Sequence, residues 1–127
     1  MGLESVRHKI GFDSHVNDSR TIVALLSSPG ESPIIAKQVR IAFVHKDSTV
    51  GNHYRDCCET YGIIGEANFV LEDIRNKERK TFAMKTGDQL FVPPRIGLRV
   101  DAKKGAIIAC CSEDYNIEGT THKYTIE

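Results

Sequence analysis

The sequence has no excess of either charge: 17 Lys and Arg stand against 17 Asp and Glu, and the isoelectric point is near 7. Without a basic field a chain does not hold a polyanion, so nucleic acid is excluded as the expected partner. No apolar run approaches the roughly 20 residues of a membrane helix. The first ten residues carry Glu4, Arg7 and Lys9 where a secretory leader needs an apolar stretch. The expectation is a soluble, cytoplasmic protein with no membrane partner. The four cysteines fall in two adjacent pairs, Cys57-Cys58 and Cys110-Cys111. Neither has the C-x2-C spacing with which two thiolates grip one zinc. Neighbours on a strand point to opposite faces, so each pair is expected to place one reduced thiol inward and one outward.

What is present is ordinary globular material. The 127 residues are 40% hydrophobic and 27% charged, which suits one domain spanning the whole chain and burying about two thirds of its unfolded surface. No window of ten residues keeps a helical apolar period. Apolar stretches of four to eight residues alternate with turn formers, the rhythm of an all-β sandwich or small barrel.

Thr21 to Leu26 reads as a strand ended by the Ser27 to Pro33 cluster. Lys37 to Val44 reads as a second, with Val39, Ile41 and Phe43 as the buried face. Glu59 to Ile64 and Ala67 to Ile74 flank Gly65-Glu66 and suggest a tight hairpin. Asn76-Lys77-Glu78 turns into Lys80 to Lys85, and Gln89 to Val92 stops at Pro93-Pro94. Gly97 to Ala102 and Ala106 to Cys111, joined by Lys103-Lys104-Gly105, complete about eight strands. A core barrel is expected over about residues 20–112, with a polar tail, 113–127, that patterning does not place.

Between Gly51 and Val100 the sequence resembles the cupin superfamily. That family's first motif reads G-x5-H-x-H-x3 or 4-E-x6-G, and its second G-x5-P-x-G-x2-H. Gly51-Asn52-His53-Tyr54-Arg55, followed by Glu59 and Gly65, is similar to a variant of the first whose second histidine is Arg55. Gly87 to Leu98 is similar to the second, with Gly87 and Pro93 in place but Arg95 at the glycine and Leu98 at the histidine. The resemblance implies a double-stranded β-helix, or jelly roll. A metal-dependent cupin clusters three histidines and a glutamate around its ion. Here a guanidinium, which has no lone pair to donate, and a leucine replace two of those ligands, so no metal cofactor is expected.

A narrower resemblance covers nearly the whole chain. Asp18-Ser19-Arg20, Pro33 with Arg40, Gly51 to Arg55, Pro93-Pro94 and Ser112 to Tyr115 follow the order of elements in cupins that interconvert nucleotide-linked 4-keto sugars, above all the 3,4-ketoisomerases. The resemblance implies proton transfer next to a ketone on a dTDP-4-keto-6-deoxyhexose, and a small-molecule partner of that class. Such a reaction needs a base with a pKa near neutral and a cation or donor for the developing enediolate. His53 is the candidate base. Arg55, two residues on and so on the same face of a strand, is the candidate oxyanion or phosphate contact, with Glu59 supporting. Arg40, Arg95 and Tyr115 are the candidate substrate-binding residues. Tyr54 should point away.

Plainer readings stand beside these. His53 can be a hydrogen-bonded relic in the barrel mouth, and Arg55 can be consumed in an internal ion pair with Glu59. Leu98, with Phe69, Leu71, Phe82, Leu90 and Val92, reads as core. His8, His15, His45 and His122 read as surface. Two rival functions follow: a binding or sensor module that has lost catalysis, and a metal site built from Cys58, His53 and Glu59. The jelly roll leaves open sheet edges, and cupins commonly pair through their N-terminal strands, so a homodimer is expected.

Overall fold

In a computed structural model, residues 2–10, 14–16, 18–23, 26, 36–114 and 117–127 are described. They form twelve strands: β1 (Arg7–Lys9), β2 (Ser14–Val16), β3 (Thr21–Val23), β4 (Gln38–Phe43), β5 (Ser48–Arg55), β6 (Glu59–Ile64), β7 (Glu66–Asp73), β8 (Arg79–Lys85), β9 (Gln89–Val92), β10 (Ile96–Ala102), β11 (Ile107–Ser112) and β12 (Thr121–Lys123). Besides these there is one 3-10 turn, Leu3–Ser5, and one helical turn, Ile117–Thr120. Two antiparallel five-stranded sheets, ordered β1-β9-β6-β11-β4 and β12-β5-β10-β7-β8, face each other, and β2 pairs with β3 apart from both. This is the expected jelly roll.

The core lies between the two sheets because alternate residues of facing strands are apolar. Phe69 and Leu71 on β7, Leu98 and Val100 on β10, and Ile63 on β6 are buried together with Leu90 and Val92 on β9. Each such side chain contributes roughly 1.5–3 kcal/mol by leaving water. Leu98 sits in this cluster as expected, with Phe82 packed at its margin. Among the described residues no helix is long and apolar enough to cross a membrane.

The hairpin expected at Asn76-Lys77-Glu78 is present: β7 and β8 pair from Glu66↔Lys85 to Glu72↔Arg79, and the Asn76 side chain accepts the Glu78 amide at 2.9 Å. The hairpin expected at Gly65-Glu66 is not. β6 pairs with β9 and β11 in one sheet while β7 pairs with β8 and β10 in the other. Gly65, at φ +98, therefore turns a corner between sheets. Turn chemistry marks a reversal of direction but does not say whether the two arms hydrogen-bond to each other.

A second expectation fails on β4. Val39, Ile41 and Phe43 are 58%, 53% and 62% exposed. Arg40 and Ala42 are exposed as well, and with Ile41 they border the cavity described below. Period-two alternation identifies a strand, but only its partners decide which face is covered.

The polar tail does acquire a place: β12 adds to β5 through Thr121↔Arg55, His122↔Tyr54 and Lys123↔His53. Of the strand expected over Thr21 to Leu26, Thr21–Val23 is strand, and Ala24 and Leu25 lie outside the described residues. Residues 27–35, with their expected turns and Pro33, lie outside the described residues.

Candidate active site

One irregularity in β5 sets the site. β10 pairs Leu98 with His53 and Arg99 with Gly51, so Asn52 is an extra residue and the strand bulges there. Gly51 and Asn52 are both left-handed, at φ +93 and +54. A Cβ at position 51 would lie 2.9 Å from the Leu98 carbonyl oxygen, which is the physical reason for glycine. The bulge sends Gly51, His53 and Arg55 to a cavity of about 270 Å³ between the sheets. Asn52 and Tyr54 turn the other way: the Asn52 side chain accepts the Ile126 amide at 3.1 Å, and Tyr54 stacks on His122 with centroids 4.7 Å apart.

The half-buried His53 ring is hydrogen-bonded to the Gly51 backbone, while Nε2 is buried with no partner among the described residues. The pKa of His53 lies below its ordinary value, first because burial disfavours the charged form and next because Arg55 is close. The imidazole is accordingly held neutral at physiological pH, with one nitrogen occupied by the chain and the other unpaired.

Arg55 is tied on two of its three nitrogens. Nη1 donates to Glu59 Oε2 at 2.6 Å and to the Tyr61 hydroxyl at 3.1 Å, and Nε donates to Thr121 Oγ1 at 2.9 Å. Glu59 also accepts the Tyr61 hydroxyl at 2.8 Å and the Cys110 thiol at 3.0 Å. Burial opposes the guanidinium charge, but Tyr61 and Glu59 outweigh it and raise its pKa. Burial, reinforced by Cys110 and Glu59, pushes the Tyr61 hydroxyl well above its usual range. Burial and Glu59 raise the Cys110 thiol in the same way. Tyr61 and Cys110 are thus neutral donors, leaving His53, with a free lone pair on its neutral ring, as the group lining the cavity that can accept a proton.

The structure brings together His53, Arg55 and Glu59, with Glu59 behind Arg55. Arg40 borders the cavity from β4 and is itself exposed. Arg95 stands apart: it is left-handed at φ +63, its side chain is 70% exposed, and its closest charged partner is Asp56 at 3.7 Å. Tyr115 lies outside the described residues. Leu98 is directly across from His53 and lines the same space. Of the cysteines, Cys110 rather than Cys58 reaches Glu59; the Cys58 thiol is pushed up to about 12 by burial and by Glu113. Among the described residues no three His, Cys, Asp or Glu side chains are grouped so as to hold a metal ion.

Three contributors escaped the sequence reading. Tyr61 had a signal, since it is two residues from Glu59 on one strand and so shares its face. Cys110 had half of one, as the inward member of its pair. Thr121, 66 residues from Arg55, had none.

No family model matches the sequence, and no curated protein matches it. Solved structures share the fold. The 3,4-ketoisomerase QdtA from Thermoanaerobacterium thermosaccharolyticum, solved in complex with TDP, superposes with a TM-score of 0.74 at 19% identity over 95% of this chain and 89% of that one. The WlaRB TDP-quinovose 3,4-ketoisomerase from Campylobacter jejuni gives 0.75 at 15% identity over 95% and 94%. The rmlC epimerase of Mycobacterium tuberculosis gives 0.79 at 12% identity over 97% and 70%.

Proposed function

We propose that this protein binds a nucleotide-linked keto sugar, of the dTDP-4-keto-6-deoxyhexose class, and moves a proton between the carbon next to the ketone and His53. The observation that carries the reading is the His53 imidazole: neutral, oriented by the Gly51 backbone, with Nε2 unpaired beside a fixed guanidinium. His53 removes the proton bound to carbon, the ketone oxygen becomes an enediolate oxygen, and Arg55 stabilises that charge. Arg40 at the mouth, Arg95 farther out, and Tyr115 are the proposed contacts for the nucleotide. The similar folds of two ketoisomerases and an epimerase support the substrate class. The chemistry asks for no metal or cofactor. We place the protein in the cytoplasm, where its free thiols stay reduced.

A binding module without turnover is the second reading, favoured by the ion pair that already occupies Arg55 and by Leu98 where a further imidazole would serve. One experiment separates the two. In deuterated water the wild-type protein should introduce deuterium into the sugar ring of a dTDP-4-keto-6-deoxyhexose, followed by NMR, and His53→Gln should not. Thermal stabilisation by the sugar nucleotide without exchange would establish the binding module instead; neither exchange nor stabilisation would end both.

The homodimer is likewise a proposal. Within the described residues β4 is the edge of its sheet and presents Val39, Ile41 and Phe43 to solvent. A second copy would cover both the edge and the apolar row.

A further inference from the structure

We infer that Thr121 is a positioning residue of the site, and that the C-terminal segment from Thr121 to Ile126 is the clamp that aims Arg55. The inference rests on the proposed function in one respect, that the cavity receives an oxyanion.

A guanidinium is planar, so fixing two of its nitrogens fixes the third. In Arg55, Glu59 and Tyr61 hold Nη1, and Thr121 Oγ1 holds Nε at 2.9 Å. Nη2 carries no hydrogen bond among the described residues, and the side chain lines the cavity. Nη2 is therefore the edge of the charge left to meet a ligand. Glu59 and Tyr61 together hold only the Nη1 corner of the plane. Thr121 anchors the Nε corner from β12, the edge strand beside β5 in the same sheet, directly across from Arg55 in the β12/β5 register.

Thr121 is itself held. His122 Nε2 lies 2.6 Å from Asp56. The Tyr124 hydroxyl donates to Glu72 and accepts from Lys77 at 2.8 Å. The Ile126 carbonyl accepts from Arg99 at 2.9 Å, and its side chain is buried. The same segment donates the Tyr124 and Ile126 amides to Asn52, so it braces the bulge before His53 as well as Arg55 after it. A segment outside the core barrel in sequence thus reaches both working residues.

The test compares Thr121→Val, which keeps the shape and removes the acceptor, with Thr121→Ser, which keeps the acceptor. In the wild-type protein the Arg55 Nε–H resonance should be protected from exchange with water. Protection should be lost in Thr121→Val and kept in Thr121→Ser. With a dTDP-4-keto-6-deoxyhexose as the probe, Thr121→Val should slow the entry of deuterium into the sugar ring about tenfold with KM little changed, the scale of one hydrogen bond to a charged group, while Thr121→Ser retains most of the rate. Unchanged Nε–H protection in Thr121→Val overturns the inference. So does lost protection with an unchanged exchange rate, since Thr121 would then hold Arg55 to no purpose at the site. Failure of the wild-type protein to introduce deuterium at all would instead count against the functional reading, and the Nε–H comparison alone would then decide whether Thr121 orients Arg55.

Discussion

Leu98 pairs with His53 across β10 and β5, and both side chains line one cavity. The isobutyl group therefore occupies the place from which a second imidazole would share a metal ion with His53, while Arg55 puts a permanent cation on the other side. The expected outcome is that zinc or nickel leaves the wild-type melting temperature unchanged, and that an Arg55→His, Leu98→His double variant is stabilised by the same ions, by about 2.7 kcal/mol at a hundredfold excess over the dissociation constant. Stoichiometric metal retained by wild-type protein purified without a histidine tag would overturn the metal-free chemistry.

Acid should destabilise the fold through His53. Its pKa in the folded protein lies below the ordinary value of about 6.5, because burial and Arg55 disfavour the imidazolium. Between the folded and the ordinary value the unfolded chain binds more protons, so stability rises with pH across that window and is fully present above about 6.5. Asp56 and Asp73 are shifted down by their partners His122 and Arg75 and lose their contributions at lower pH, below the ordinary carboxylate value. Urea unfolding from pH 5 to 8 should show a wild-type curve that falls toward pH 5 more steeply than that of His53→Gln. Parallel curves would show that His53 is not held neutral by the fold.

The strands and their turns were legible because alternation and Gly, Pro and Asn punctuation are local. The sheet to which each strand belongs was not, as Gly65 and the outward row on β4 show. His53, Arg55 and Glu59 could be read from a short motif, and their spacing on β5 and the start of β6 did bring them together. Thr121 could not, since its bond to Arg55 is made by a strand pairing between distant segments that no local pattern encodes. The bulge at Gly51-Asn52 falls between these cases: the glycine is visible in the sequence, but its purpose appears only against the Leu98 carbonyl.

The exposed row on β4 makes a prediction about assembly. Three large apolar side chains at alternate positions of a strand that is the edge of its sheet among the described residues leave a hydrophobic stripe in water. Sedimentation should find the wild-type protein dimeric and Ile41→Glu monomeric, because a carboxylate at the centre of the row cannot be buried unpaired. A wild-type monomer at micromolar concentration would overturn the dimer.

The Arg55–Glu59 pair is the most deeply set charge pair at the site, with side chains 11% and 4% exposed. Removing the cation alone strands Glu59 among the Tyr61 hydroxyl and the Cys110 thiol, neither of which carries positive charge. Arg55→Met should therefore cost about 3–5 kcal/mol. Adding Glu59→Gln neutralises the stranded charge while keeping an oxygen for Tyr61, so the double variant should be more stable than Arg55→Met by itself, with a coupling of about 0.5–3 kcal/mol between the two positions. Denaturant unfolding of the four proteins measures that coupling. If the two substitutions simply add, Arg55 is not the counter-ion that keeps Glu59 buried, and the cation is free to serve the cavity alone.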